Sequence, residues 1–120
     1  MELRLNKVIV FAPDLERARQ FYGDVLGLRL KRADRTSLAF EGDGFALTIF
    51  ACARASEPSG YAEEAGSSVA FAVSSLDASI AELRRHGVRL LHAEPNEGPF
   101  GRYVAFADPF GTVHELVETR

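Results

Sequence analysis

Along the chain, short stretches of apolar and β-branched residues give way to helical spacing, return to short stretches, and then do the same again. Leu3–Phe11 is rich in apolar and β-branched residues and ends at Ala12–Pro13–Asp14, which predicts a strand. Asp14 is a good N-cap, and Leu15, Ala18, Tyr22 and Val25 follow at helical spacing. Gly27 closes that helix, because glycine accepts the left-handed conformation of a C-terminal cap. Strands are expected near Leu28–Ala33 and Thr36–Glu41, then a turn at Gly42–Asp43–Gly44 and a buried strand, Phe45–Cys52. Residues 53–67 (ARASEPSGYAEEAGS) are small, polar and rich in breakers, and read as a linker or long surface loop.

The pattern then restarts. Ser68–Val73 predicts a strand, Ser74–Ser75 offers a cap, Leu76, Ile80 and Leu83 form a helical stripe, and Gly87 ends it. Val88–His92 reads as a strand, Glu94–Gly101 as a Pro/Gly loop and Arg102–Ala107 as a strand. Asp108–Pro109–Phe110–Gly111 reads as a turn and Thr112–Glu118 as the last strand. The halves align: Leu15 meets Leu76 at an offset of 61, Gly27 meets Gly87 at 60, and Gly44 meets Gly111 at 67. Caps, turns and strands matching in one order imply a duplication: a single α+β domain of two tandem βαβββ units, about 1–53 and 68–120, with a linker at about 54–67.

Composition narrows the function classes. With 47% hydrophobic and 26% charged residues, the chain has material for a core. A net charge of -3 and a pI near 5.6 argue against a nucleic-acid partner, whose phosphates demand a basic surface. The basic pairs Lys31–Arg32 and Arg84–Arg85 are isolated and read as solvated faces. Cys52, the one cysteine, cannot form an internal disulfide and reads as a small core residue. No run of about 18 apolar residues occurs, so no membrane partner and a cytoplasmic location are expected.

The run from Asp14 to Leu28 (DLERARQFYGDVLGL) resembles the first helix of the glyoxalase/bleomycin-resistance/dioxygenase family, the vicinal oxygen chelate superfamily. The run from Asp108 to Glu118 (DPFGTVHELVE) resembles that family's closing turn and strand. The resemblance implies curved mixed sheets forming a cup, helices on the outer face, and a homodimer. In metal-dependent members the ligands are one residue from the first and one from the last strand of each unit. Here these positions fall on Lys7 and Thr48, and on Ser68 and Glu115. A divalent ion wants imidazole, carboxylate or thiolate at several of them. Lys7 is a cation, Thr48 and Ser68 are weak neutral donors, and only Glu115 suits a metal, so no metal and no cofactor is expected. His114 neighbours Glu115 on a strand and should point to the opposite face; His86 and His92 match no family position.

An ion pair between Lys7 and Glu115 is one way to organise such a cup, with Ile9, Phe11, Phe50, Ala70 and Ala72 lining it. Phe100 reads either as a stacking platform at the rim or as a turn aromatic folded onto the core, with Arg102 following it. The resulting ligand-binding set is Lys7, Thr48, Phe50, Ser68, Phe100, Arg102 and Glu115. It implies a metal-free small-molecule-binding protein, with sequestration of a toxic or antibiotic compound as its concrete form. The alternatives are a metal-dependent lyase, isomerase or dioxygenase of the same superfamily, and an accessory domain that uses the fold for dimer contacts. The fold hosts all three, so the site must decide.

Overall fold

The computed structural model describes residues 1–119, and the chain divides into two compact units, Met1–Ala55 and Ser56–Arg120. The first unit contains β1 (Val8–Ala12), helix α1 (Leu15–Arg19, continued as a π-helix over Gln20–Val25), β2 (Arg29–Ala33), β3 (Ser37–Gly42) and β4 (Phe45–Ala51). Its sheet runs β1-β4-β3-β2, with β1 parallel to β4 and the other pairs antiparallel. The second unit contains a short 3₁₀ turn (Pro58–Gly60), β5 (Ala70–Ala72), α2 (Leu76–Arg85), β6 (Arg89–Leu90), β7 (Asn96–Gly98), β8 (Gly101–Ala107) and β9 (Val113–Thr119). Its sheet runs β5-β9-β8-β6 with β7 added on β8, and β5 is parallel to β9. Both units are therefore α+β modules on mixed sheets.

Alternation along the strands gives each sheet a helix side and an open side. In the first unit Val10, Ala12, Leu38, Phe40, Leu47 and Ile49 are buried on the helix side with Ala18, Phe21 and Tyr22. In the second, Leu76, Ile80 and Leu83 are buried with Val104, Phe106 and Leu116. Burying a side chain of this size contributes about 1.5–3 kcal/mol, so each unit's helix stripe anchors its sheet.

The shifts in the repeat offset have structural causes. Asp14 and Ser75, 61 apart, cap the two helices by accepting from Arg17 N at 3.1 Å and Ala78 N at 3.2 Å. Gly27 and Gly87, 60 apart, end them at φ +77° and +73°. The one-residue difference is an extra residue in the first helix, absorbed by its π-helical stretch, where Leu26 N donates to Phe21 O. The pairs Leu30–Phe40 and Leu90–Phe106 then show six further residues between β6 and β8, and these hold β7. One more residue in the last turn brings Thr48 and Glu115 to equivalent places, opposite Ile9 and Ala70.

Several sequence-based boundaries are corrected. The first strand starts at Val8 and not at Leu3, and Leu3 and Leu5 are exposed. Asn96–Gly98, read as loop, pairs with β8. Val88–His92 shrinks to a two-residue strand because the His92 side chain takes over the next ladder position. Cys52 is half-buried just past β4, outside the core.

Candidate functional site

The second unit's open face is built around Glu115. Val113, Glu115 and Val117 share one side of β9, and Ala105 and Tyr103 stand directly across on β8. The carboxylate of Glu115 accepts a hydrogen bond from the Tyr61 hydroxyl. Tyr61 belongs to the segment read as a linker, which packs on its own unit: Ser56 N donates to Phe110 O at 2.8 Å. Burial, then the hydrogen bond and charge of Glu115, push the Tyr61 phenol well above its usual range, so it stays protonated and donates. Beside this pair lies a cleft of about 510 Å³ whose walls include Ser68, Glu57, Glu64 and Thr112.

Its turn is held by backbone geometry. Asp108 is buried and its Oδ1 accepts from Phe110 N and Thr112 N, each at 2.9 Å. Gly111 sits at φ +91°, and a Cβ there would meet the Ser56 carbonyl oxygen at 2.0 Å. Only glycine permits both the angle and the approach.

His114 faces the other way, as alternation requires. It is buried on the helix side, 5.7 Å from the rings of both Phe71 and Phe106. Burial lowers its pKa, partly offset by Asp108. His92 is structural too: its Nε2 accepts from Ala105 N at 3.0 Å and its Nδ1 lies 2.7 Å from Glu94 O, which fixes a neutral tautomer donating from Nδ1. His86 caps the end of α2 beside Glu82 at 3.2 Å.

The first unit's open face is different. Thr48 and Phe50 point to it from β4, beside Ile9 and Phe11 of β1, which are 48% and 59% exposed. The Phe11 and Phe50 ring centroids are 6.5 Å apart. A concavity of about 590 Å³ opens here, with Lys7, Thr48, Phe50 and Ala39 among its walls.

The structure thus groups Lys7, Thr48 and Phe50 in one unit, and places Ser68 and Glu115 on the open side of the other. Two sequence candidates do not join them. Phe100 is 79% exposed at the tip of the β7–β8 hairpin, which removes the reading that folds it onto the core. Arg102 stands opposite Glu118, on the helix side of the sheet, and pairs with Asp77 at 3.1 Å. That pairing raises its pKa and ties it to the start of α2, where Glu118 accepts from Leu76 N at 2.6 Å. Sequence reasoning missed Tyr61; its one signal was an aromatic residue in an otherwise small and polar segment.

The donor set does not suit a divalent ion. Of the four family positions, Lys7 and Thr48 give the first unit no anionic or imidazole donor. Ser68 and Glu115 give the second a single carboxylate, already engaged by Tyr61. Among the described residues no three His, Cys, Asp or Glu side chains come together as a metal site requires. No helix among them is long and apolar enough to cross a membrane.

Several solved structures share this fold. A glyoxalase family protein from Enterococcus faecalis superposes with a TM-score of 0.80 at 23% identity, over 96% of this chain and 97% of that one. A glyoxalase/dioxygenase from Nostoc punctiforme gives 0.76 at 21%, over 98% and 91%. The fosfomycin resistance protein FosX of Listeria monocytogenes gives 0.81 at 18%, over 100% and 94%. No curated protein matches the chain. The family model described as Glyoxalase/Bleomycin resistance protein/Dioxygenase superfamily matches residues 4–116, and with two βαβββ modules on mixed sheets the chain belongs to that superfamily.

Proposed function

We propose that the chain binds a small organic molecule on its open sheet faces without a metal at the four superfamily positions. The observation that carries this reading is the contact between Tyr61 and Glu115: the one carboxylate at those positions is engaged by a protonated phenol. The concavity of about 590 Å³ in the first unit lies in the range of small-molecule sites. A neighbour in fold is named for fosfomycin resistance, so a toxic or antibiotic compound is a reasonable class of ligand to try. The reading includes a homodimer, for which sedimentation equilibrium should give about twice 13.1 kDa.

Thermal denaturation tests the metal-free reading. An ion that binds only the folded chain raises Tm by mass action. Protein dialysed against a chelator should melt at the same temperature with and without added manganese, nickel, zinc or iron. A metal-dependent rise in Tm that disappears in Glu115→Gln overturns the reading and favours a metal-dependent lyase, isomerase or dioxygenase.

A further inference from the structure

Strand alternation would send the side chains of Lys31 and Arg32 to opposite faces. The β-bulge in β2 prevents this. Leu30 pairs with Phe40 and Arg32 with Ala39, so Lys31 is the extra residue and the parity of pairing changes across it. Arg32 thereby stands opposite Ala39 on the open side, and both basic residues line the same concavity, with Lys7 on another wall. An isolated basic pair in the sequence becomes two cations aimed into one hollow.

These cations are under-compensated. Among the described residues Glu41 is the one carboxylate lining the hollow; it pairs with Arg29 and also with Lys31, at 3.3 Å. Among the described residues Arg32 pairs with Asp34 alone, at 3.6 Å. The other oxygen of Asp34 accepts from the backbone and hydroxyl groups of Thr36 and Ser37, and these bonds hold its pKa low. Lys7 has no carboxylate partner among the described residues of its unit. The whole chain is acidic, yet residues 1–55 hold nine basic and seven acidic side chains and residues 56–120 five and ten, so the units carry +2 and −5. Thr48 adds a hydroxyl donor, and Phe50 an aromatic wall.

From this arrangement we infer that the open face of the first unit holds the oxyanion of a small organic acid, a carboxylate or phosphonate on an aromatic or apolar body. Lys7, Lys31 and Arg32 neutralise the anion, Arg32 offers a planar fork to two of its oxygens, and the body rests on Phe50. This rests on the metal-free binding reading and specifies its ligand class.

Calorimetric titration of the full chain with phenylphosphonate, benzyl alcohol and inorganic phosphate tests it, using chelator-treated protein. Phenylphosphonate should bind tightest, and more weakly at about 500 mM than at about 50 mM salt, because the charges are exposed to screening. The double substitution Lys31→Gln, Arg32→Gln should weaken it by about tenfold or more, a loss of about 1.4 kcal/mol. Lys7→Gln, which lies outside the strand ladder and leaves the fold unstressed, should weaken it severalfold. The inference is overturned if phenylphosphonate does not bind at millimolar concentration, or if benzyl alcohol binds as well. Undiminished binding by the lysine and arginine variants overturns it equally. Benzyl alcohol binding that Phe50→Ala abolishes would sink the anion class alone and leave metal-free binding standing. Phenylphosphonate binding that requires added metal and Glu115 would sink the underlying reading.

Discussion

Opposite Ile9, the first unit places Thr48 on the open side of its sheet; opposite Ala70, at the matching register, the second places Glu115. The helix sides of the two units match, cap for cap and glycine for glycine. The open sides do not. One is a cationic hollow with exposed aromatic residues, and the other carries a carboxylate covered by Tyr61 from the unit's own lead-in segment. Packing constrains a helix face at every position, since each buried side chain touches several others. An open face is free to change, so duplication yields one scaffold with two chemistries.

The largest expected effect separates the two last turns. Gly44 and Gly111 are equivalent and both have positive φ, but a Cβ at Gly44 meets nothing whereas one at Gly111 meets the Ser56 carbonyl. Gly44→Ala should cost about 1 kcal/mol of strain in urea denaturation, and Gly111→Ala about 3 kcal/mol or more, because the lead-in segment must also move. Equal losses would mean that segment 56–67 is not seated on the turn as described.

The two cores carry different chemistry at one equivalent pair, the apolar Leu47 against the titratable His114, both fully buried. Burial holds His114 below its usual pKa, so the unfolded chain takes up this proton at a higher pH than the folded one. Stability from this site is complete above about pH 6.5 and is lost as pH falls through that value toward the folded one. The urea midpoint should drop between about pH 7.5 and about pH 5.5, and less in His114→Leu. An unchanged drop in that variant would assign the pH dependence to other groups.

Tyr61→Phe removes the hydroxyl that engages Glu115 in the second unit. It should cost about 1.5 kcal/mol, as expected for a bond to a charged acceptor. The smallest contrast is in the caps. Asp14→Ala and Ser75→Ala should each cost about 1 kcal/mol, with no more than a few tenths between them. A large difference would mean that the matching helix ends are not equally formed.

What the sequence revealed and what it hid follow one physical line. Asp14, Ser75, Gly27, Gly87, Gly44 and Gly111 announce themselves because each meets a local backbone demand that few residue types satisfy. Their offsets exposed the duplication, and the runs around them carried the resemblance to the superfamily. The bulge at Lys31 and the pairing of Asn96–Gly98 have no such local code; they depend on which residue stands across the sheet. The contact of Tyr61 with Glu115 spans 54 residues through a segment that looks like a linker, and nothing in its composition announces where it docks. Arg102 was placed at a rim by its sequence neighbours, whereas alternation along β8 turns it to the helix side.

The most direct test of the divergence between the two faces is a titration of isotopically labelled protein with phenylphosphonate, followed through backbone amide resonances. The account expects shifts at Lys7, Lys31, Arg32, Ser37, Thr48 and Phe50, with Tyr61, Ser68 and Glu115 unmoved. Shifts centred on Tyr61 and Glu115, with the first unit silent, would contradict it.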